Sequence, residues 1–234
     1  MTAAGGLISV LVGAVLLRLE LTGTYGRYVR QGMGPWLAIA GAVVIVLGLV
    51  TLARALRQGQ EPGGDRDLDG HEHRGGGERI GWLLLAPIAA LLLVAPPTLG
   101  SYGVGRGARV DIRAGAEVLD PLPRGAGPVR MTLLEFGQRA FDHDGASFNG
   151  AAVQLTGFVA AQEGAGFRLA RYQIACCAAD AAPVVVRVVG VEGSPPRDQW
   201  VTVTGTFQPP GGDQFPRLAA TSVVEIRAPN DPYE

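Results

Sequence analysis

Three apolar runs dominate the first hundred residues of the chain. They lie at residues 5–21, 35–53 and 80–100, and the second and third contain no charged residue. Because about 20 apolar residues in a helix span the hydrocarbon core of a bilayer, these runs predict three transmembrane helices. The first run reaches that length only if Arg18 extends its charged end to the interface. It lacks a preceding basic segment, and the second run follows closely, which favours an uncleaved helix over a signal peptide.

Residues near the ends of the runs agree with this interpretation but do not orient the chain. Trp36 and Trp82 lie at the starts of the second and third runs, where aromatic rings favour the headgroup region. Arginines flank the runs in nearly equal numbers on both sides. The positive-inside rule therefore leaves the orientation open.

The segment at residues 54–79 separates the second and third runs and has a different composition. Glycines and charges of both signs predict a flexible linker. His71 and His73 follow three aspartates in this segment, and short histidine-containing tracts can bind metal. Two interpretations stay open, a solvated linker and a weak metal-gathering tract.

Residues 106–234 have the composition of a separate soluble domain, large enough to bury its own core. Thr132 and Glu135 have the spacing of a helix capping box. Leu133, Phe136 and Ala140 then fall on one helical face, which predicts one amphipathic helix. Residues 1–105 are predicted to form the transmembrane region that precedes this domain.

Beyond the helix, the apolar residues recur with a period of two. This alternation predicts five strands separated by turns that contain glycine or proline, at residues 151–160, 167–175, 183–190, 199–207 and 218–227. In the second strand the phase changes after Leu169, which predicts a β-bulge. Gly157 and Gly205 suit the sharp bending of a small barrel. The predicted fold is a three-helix membrane anchor with a C-terminal all-β domain, a five-stranded OB-like barrel with one flanking helix; a β-sandwich stays open.

Charge and composition exclude several classes of function. The formal net charge is −1, whereas nucleic-acid-binding domains usually present a basic face. No nucleophile–base, phosphate-binding or paired-carboxylate pattern stands out, so we predict that the protein is not an enzyme. Two cysteines in 234 residues do not form a disulfide framework.

The candidate chemistry lies at the two cysteines, which are adjacent. Cys176 and Cys177 precede Asp180 by a few residues, where the second predicted strand ends. Neighbouring side chains on a strand face opposite ways, so only a turn would let both thiols face one ligand. Thiolates with a carboxylate or an imidazole suit zinc or copper, and the predicted site adds His143 to these three residues. Arg171 is a supporting residue that could hold Asp180 or lower the pKa of a thiol.

Two other interpretations of the cysteines stay open. Cysteine side chains are small and soft, and they often serve only to pack. Alternatively, the pair could cycle between thiols and a strained vicinal disulfide that is easily reduced.

Several motifs together resemble a known family. They are IACCAADA at residues 174–181, LTGFV at 155–159, WVTVTGT at 200–206 and PNDPY at 229–233. With these motifs the chain resembles the YcgQ-like family of bacterial permease subunits. The resemblance implies a multi-pass protein of the cell membrane, a C-terminal domain outside the cytoplasm and a larger integral-membrane permease as partner. Members often have a more histidine-rich linker than the one here.

The resulting hypothesis is an accessory subunit of a permease that is anchored in the bilayer. It binds zinc or copper at its cysteine pair in one version. The alternatives are a membrane-anchored thiol redox protein and a scaffold whose cysteines only pack.

Overall fold

The computed structural model describes residues 3–58, 98–106, 112, 119–125, 127–191, 193–209, 211–212 and 214–234. Its contacts divide the chain into two compact units. One contains Met1–Tyr25 and Gln31–Pro97, and the other contains Gly26–Arg30 and Thr98–Glu234. Nearly all of the predicted third span, and the linker beyond Gln58 with His71 and His73, lie outside the described residues.

The first unit contains two apolar helices, α1 (Ala3–Leu21) and α2 (Gly34–Gln58). Both are long enough and apolar enough to cross a membrane. Only 11% of each apolar window is buried, and α2 leaves large side chains such as Ile39 and Leu47 exposed. This burial is far lower than in the core helix of a globular domain, whose apolar face packs against other elements.

The two helices meet through glycines. A Cβ atom added to Gly13 would lie 2.6 Å from the carbonyl oxygen of Gly41, and one added to Gly48 would lie 2.9 Å from that of Gly6. Gly6 lies against Gly48 and Gly13 lies against Gly41, so the two helices run antiparallel. Small residues at such positions let two helix backbones approach closely, as is common between membrane helices.

The second unit contains a mixed sheet and one helix. The helix is α3 (Leu133–Phe141). The six strands are β1 (Val129–Arg130), β2 (Ala152–Gln162), β3 (Gly166–Gln173), β4 (Ala182–Val189), β5 (Trp200–Gln208) and β6 (Arg217–Ile226). The five predicted strands correspond to β2–β6, and the two-residue β1, which is too short for a periodic signal, adds a sixth.

The start of α3 follows the prediction in part. The hydroxyl of Thr132 accepts a hydrogen bond from the backbone N–H of Glu135 at 3.0 Å, which satisfies one free donor of the first turn. The carboxylate of Glu135 does not complete a reciprocal cap. It accepts instead from Nε of Arg139 at 3.0 Å, one turn further along the helix.

The strand pairings form a closed circuit. The sheet order is β1-β2-β3-β4-β6-β5, and β5 also pairs with β2. Within the circuit only β4 and β6 are parallel, while β1 adds a parallel pairing to β2 at its start. β2 therefore has neighbours on both sides, β3 towards its end and β5 along most of its length.

The bulge predicted in β3 is wrong. β3 and β4 pair in register from Gly166 with Val189 to Gln173 with Ala182. The register shifts lie instead in β2, near Val159, and between β5 and β6, near Gly205. The change of phase within β3 has another cause, because this strand buries both of its faces in two separate clusters.

The larger cluster contains Phe167 and Leu169 of β3, together with α3 and the inward residues of most strands. The smaller cluster contains Tyr172 and Ile174 from the opposite face of β3, with Phe158, Trp200 and Tyr233. Side chains that alternate along a strand point to opposite faces. The first half of β3 therefore faces the larger cluster, and its end faces the smaller cluster, just before the chain reaches the cysteines.

Candidate metal centre and its surroundings

The turn after β3 is organised around the carboxylate of Asp180. Oδ1 accepts a hydrogen bond from the backbone N–H of Ala175 at 3.0 Å. Oδ2 accepts from the N–H groups of Cys176 at 2.9 Å and Cys177 at 3.3 Å. A short side chain with two acceptor oxygens can replace the missing backbone partners of a turn in this way. The turn therefore depends on Asp180, and the chain leaves strand geometry here.

The two thiols lie on the same side of this turn. Cys177 caps the short helical turn Ala178–Asp180, and its sulfur accepts from the backbone N–H of Asp180 while Asp180 accepts from the N–H of Cys177. As a result, both sulfur atoms and a carboxylate oxygen of Asp180 lie within 4.8 Å of one another. Cys176 is exposed, Cys177 is half-buried, and both are free thiols.

The carboxylate and the first thiol shift each other's protonation. The hydrogen bond from the Cys176 thiol and those from the backbone lower the pKa of Asp180 to about 2. The hydrogen bond to Asp180, followed by the one to Cys177, raises the pKa of Cys176 to about 12. Cys176 therefore keeps its proton at neutral pH unless a cation replaces it.

The same turn holds the segment Gly26–Arg30, which we call the strap. The strap lies in the connection between α1 and α2 but belongs to the second unit. The N–H of Arg30 donates to the carbonyl of Cys176 at 3.1 Å, and the N–H of Ala178 donates to the carbonyl of Tyr28 at 2.7 Å. Val29 and Cys177 form an antiparallel bridge. The backbone that carries the thiols is thus also the docking edge for the strap.

Two family models match this chain. The DUF1980 N-terminal domain matches residues 6–107, and the DUF1980 C-terminal domain matches residues 138–234. The chain belongs to the DUF1980 family. No curated protein matches it. The strap falls in the part that matches the N-terminal domain of DUF1980, whereas the cysteine turn falls in the C-terminal domain. Contacts of the strap therefore join segments from both family domains.

Residues 229–234 complete the surroundings of the site in this DUF1980 chain. The N–H of Glu234 donates to the carbonyl of Tyr172 at 2.8 Å, and the N–H of Ile174 donates to the carbonyl of Glu234 at 3.1 Å. The hydroxyl of Tyr233 donates to the carbonyl of Arg27 in the strap at 2.8 Å. This segment therefore lies against both the end of β3 and the strap.

The side chain of Glu234 is buried at the start of α3. Its carboxylate accepts from the N–H groups of Leu133 at 3.0 Å and Leu134 at 3.3 Å, where the helix dipole favours negative charge. Burial nevertheless raises the pKa of Glu234, because desolvation outweighs these hydrogen bonds and the charge of Arg171. The segment 229–234 is thus tied to α3 as well.

Arg171 does not pair with Asp180 in this chain. Its Nη2 donates to the carbonyls of Asp231 at 2.7 Å and Tyr233 at 3.1 Å, and its Nη1 lies 3.9 Å from the carboxylate of Glu234. Asp180 has its own backbone donors in the turn. The role of Arg171 is therefore to hold residues 231–234, not to orient a metal ligand or lower the pKa of a thiol.

The structure brings together three of the four predicted ligands. His143 is not part of the cluster that Cys176, Cys177 and Asp180 form. It follows α3, its imidazole is largely exposed, and its Nδ1 lies 2.6 Å from Oδ1 of Asp142. The strap and Glu234 were missed by the analysis of the sequence. The strap binds through backbone groups, which leave no side-chain pattern to find.

Proposed function

We propose that this DUF1980 protein is a membrane-anchored accessory subunit of a transporter. The observation that carries the proposal is the apolar surface of α1 and α2, which the protein itself leaves largely unburied. Lipid is the solvent that such a surface requires, since water around it would cost free energy in proportion to its area. The resemblance to the YcgQ-like permease subunits supports the transport role.

The two helices suit an anchor better than a transport path. Residues 3–17 of α1 and residues 34–53 of α2 contain no charged side chain. Ion and substrate pathways through a bilayer are usually marked by ionisable residues inside the spans. A larger, multi-span permease would supply the path, and this chain would hold its β-rich domain beside it.

The location of the strap supports a third span. If α1 and α2 both cross the bilayer, Gln31 lies on one side and Arg57 on the other. The sheet unit includes the strap and shares its side. The chain would then have to cross once more between residues 58 and 98, and the apolar run at residues 80–100 is long enough to do so.

The closed circuit of pairings supports an OB-like barrel as the form of the β domain. Five strands pair in the cycle β2-β3-β4-β6-β5-β2. Glycines lie at points of close strand contact: a Cβ on Gly157 would lie 2.6 Å from the carbonyl oxygen of Ala170, and one on Gly205 would overlap that of Ala219. Such glycines permit the bending that barrel closure requires. We do not extend the fold to nucleic-acid binding, because fold alone does not establish function.

Labelling of single cysteines tests the topology. In a background with Cys176→Ser and Cys177→Ser, one cysteine replaces the exposed residue Gln31, Arg57 or Arg227. A membrane-impermeant maleimide applied to intact cells or spheroplasts should either label positions 31 and 227 and leave position 57 unlabelled, or label position 57 alone. Labelling of 57 and 227 from the same side would contradict the third span.

Purification of the full chain tests the accessory role. A tagged chain should stay with membranes after alkaline extraction and, in mild detergent, should bring down a protein with many spans. Recovery of the chain in the soluble fraction would contradict the membrane anchor. Recovery from membranes without such a partner would contradict the transport role alone.

For the cysteines, we propose cation binding in preference to redox chemistry. Two thiols and a carboxylate converge, and this ligand set suits zinc or copper. A redox thiol is usually activated by a lowered pKa, whereas the carboxylate of Asp180 raises the pKa of Cys176. A bound cation would displace the thiol protons to solvent and leave three protein ligands with an open position.

Elemental analysis and Zn²⁺ titration of the full chain in detergent test the cation site. Cys176→Ser with Cys177→Ser is a matched variant, because serine keeps the hydrogen bonds of the turn and removes the thiolates. We expect one Zn²⁺ per chain, lost in this variant and kept in His71→Ala with His73→Ala. Zn²⁺ binding that is lost in the histidine variant and kept in the serine variant would place the site in the linker and contradict the proposal.

A further inference from the structure

We infer that a cation bound at Cys176, Cys177 and Asp180 locks the strap onto the sheet unit, so that the connection between α1 and α2 responds to the occupancy of the site. This inference rests on the proposed cation site and adds a sensing role to it. The responding element is the backbone of residues 28–30.

The ligand residues and the docking edge of the strap are the same short stretch of chain. Cys176 offers its sulfur to the site and its carbonyl to Arg30. Cys177 offers its sulfur to the site and forms the bridge with Val29. The next residue, Ala178, donates to Tyr28. No intervening element is needed for a change at the thiols to reach the strap.

The strap is held by few contacts. Among the described residues, two backbone hydrogen bonds and the Tyr233 hydroxyl join it to the cysteine turn and to residues 229–234, and most of its residues are not buried. Segments with few buried contacts and exposed backbone hydrogen bonds open locally at low free-energy cost. Opening of the cysteine turn would separate the thiols from Asp180, and closure would bring the three ligands together again.

Thermodynamic linkage gives the factor by which cation binding should suppress this opening. A ligand that binds only the closed form stabilises it by RT ln(1 + [L]/Kd), so a concentration of about 100 Kd lowers the open fraction roughly 100-fold. Amides that exchange only through this opening should slow by the same factor. By reciprocity, weakening the strap should lower the affinity for the cation.

The strap is placed to pass such a change along the chain. It is joined covalently to α1 through residues 22–25 and to α2 through residues 31–33. The hydroxyl of Tyr25 donates to the carbonyl of Gln31 at 3.0 Å, which closes the base of the loop that carries the strap. Holding or releasing residues 26–30 therefore acts on a short, closed loop between two helices.

Hydrogen exchange of the full chain in detergent tests the inference. The amides of Arg30 and Ala178 are followed with saturating Zn²⁺ and with a chelator, and the amide of Val203 in the buried β5 serves as an internal control. We expect Zn²⁺ to slow exchange at Arg30 and Ala178 by roughly 100-fold at about 100 Kd and to leave Val203 unchanged. Cys176→Ser with Cys177→Ser should abolish the slowing.

Tyr233→Phe tests the reverse direction, because it removes the hydroxyl that donates to the carbonyl of Arg27 and keeps the ring; the backbone N–H of Leu99, which also bonds this hydroxyl, lies outside the strap. It should speed exchange at Arg30 without Zn²⁺ and weaken Zn²⁺ binding. Zn²⁺ binding with unchanged exchange at Arg30 and Ala178 would overturn the sensing role and leave the cation site intact. No Zn²⁺ binding at all would overturn both. Slowing that persists in the double serine variant would also overturn the inference.

Discussion

The helical unit and the sheet unit are both rich in apolar residues but place them in opposite ways. Ile39, Val46 and Leu47 of α2 are 58–60% exposed, whereas Val153 and Val203 of the sheet are fully buried. Both units use glycine where two backbones meet, at Gly13 between the helices and at Gly157 between strands. The comparison teaches that composition alone does not separate an exposed apolar helix from a buried strand. The difference lies in whether the chain buries the apolar surface itself.

The largest expected effect comes from the sheet unit. Phe136 is fully buried and packs against Phe148, with ring centroids 5.0 Å apart. Phe136→Ala should cost about 3–5 kcal/mol of stability, because it removes buried surface and leaves a cavity. The matched change Ile39→Ala on the exposed face of α2 should alter stability by no more than about 0.5 kcal/mol. Hydrogen exchange under increasing denaturant measures both, at strand amides for Phe136→Ala and at α2 amides for Ile39→Ala, and equal losses of stability would contradict the contrast between the two units.

An intermediate effect is expected at the helix pair. Gly13→Val would push a side chain into the carbonyl of Gly41 and should cost about 1–3 kcal/mol through overpacking. Ala14→Val is the control, since it adds a similar side chain at an exposed position of the same helix. Thermal loss of the helical circular dichroism signal in detergent reports the difference. If both variants melt alike, the glycine contact does not hold the helices together.

The smallest effect concerns pH and the cysteine turn. The pKa of Asp180 is lowered from 3.8 to about 2, so the folded turn favours the carboxylate. The stability that the ionised Asp180 carboxylate adds to the fold should be fully present above pH 3.8 and should be lost as the pH falls through about 2. Asp180→Asn removes the titrating group, so the difference in melting temperature between wild type and variant should shrink over this range. A difference that stays constant down to pH 2 would show that the charge of Asp180 does not matter.

Local patterns in the sequence are enough to predict most helices and strands of the sheet unit. The spacing of Thr132 and Glu135 predicts the start of α3, and the hydroxyl of Thr132 caps it. Five alternating segments correspond to β2–β6. The bulge in β3 was a misinterpretation, because a strand buried on both faces and a strand with an extra residue both interrupt a simple alternation.

The candidate site could be predicted only in part. Cys176, Cys177 and Asp180 are close in sequence, so a single turn brings their side chains together. His143 and Arg171 were assigned by residue type, and their places depend on long-range packing that one sequence does not reveal. Arg171 lies against residues 231–234, and His143 lies beside Asp142. The backbone contacts of the strap leave no trace in side-chain identity.

The strap can pair with its partners only late in synthesis of the chain. Residues 26–30 leave the ribosome long before their partners at residues 176–178, and contacts between distant segments form late because the intervening chain must first be placed. For most of translation the carbonyl of Tyr28 and the amide of Arg30 must be satisfied by water or by another protein. A nascent chain that stops before β3 therefore exposes an unpaired backbone edge between its first two helices.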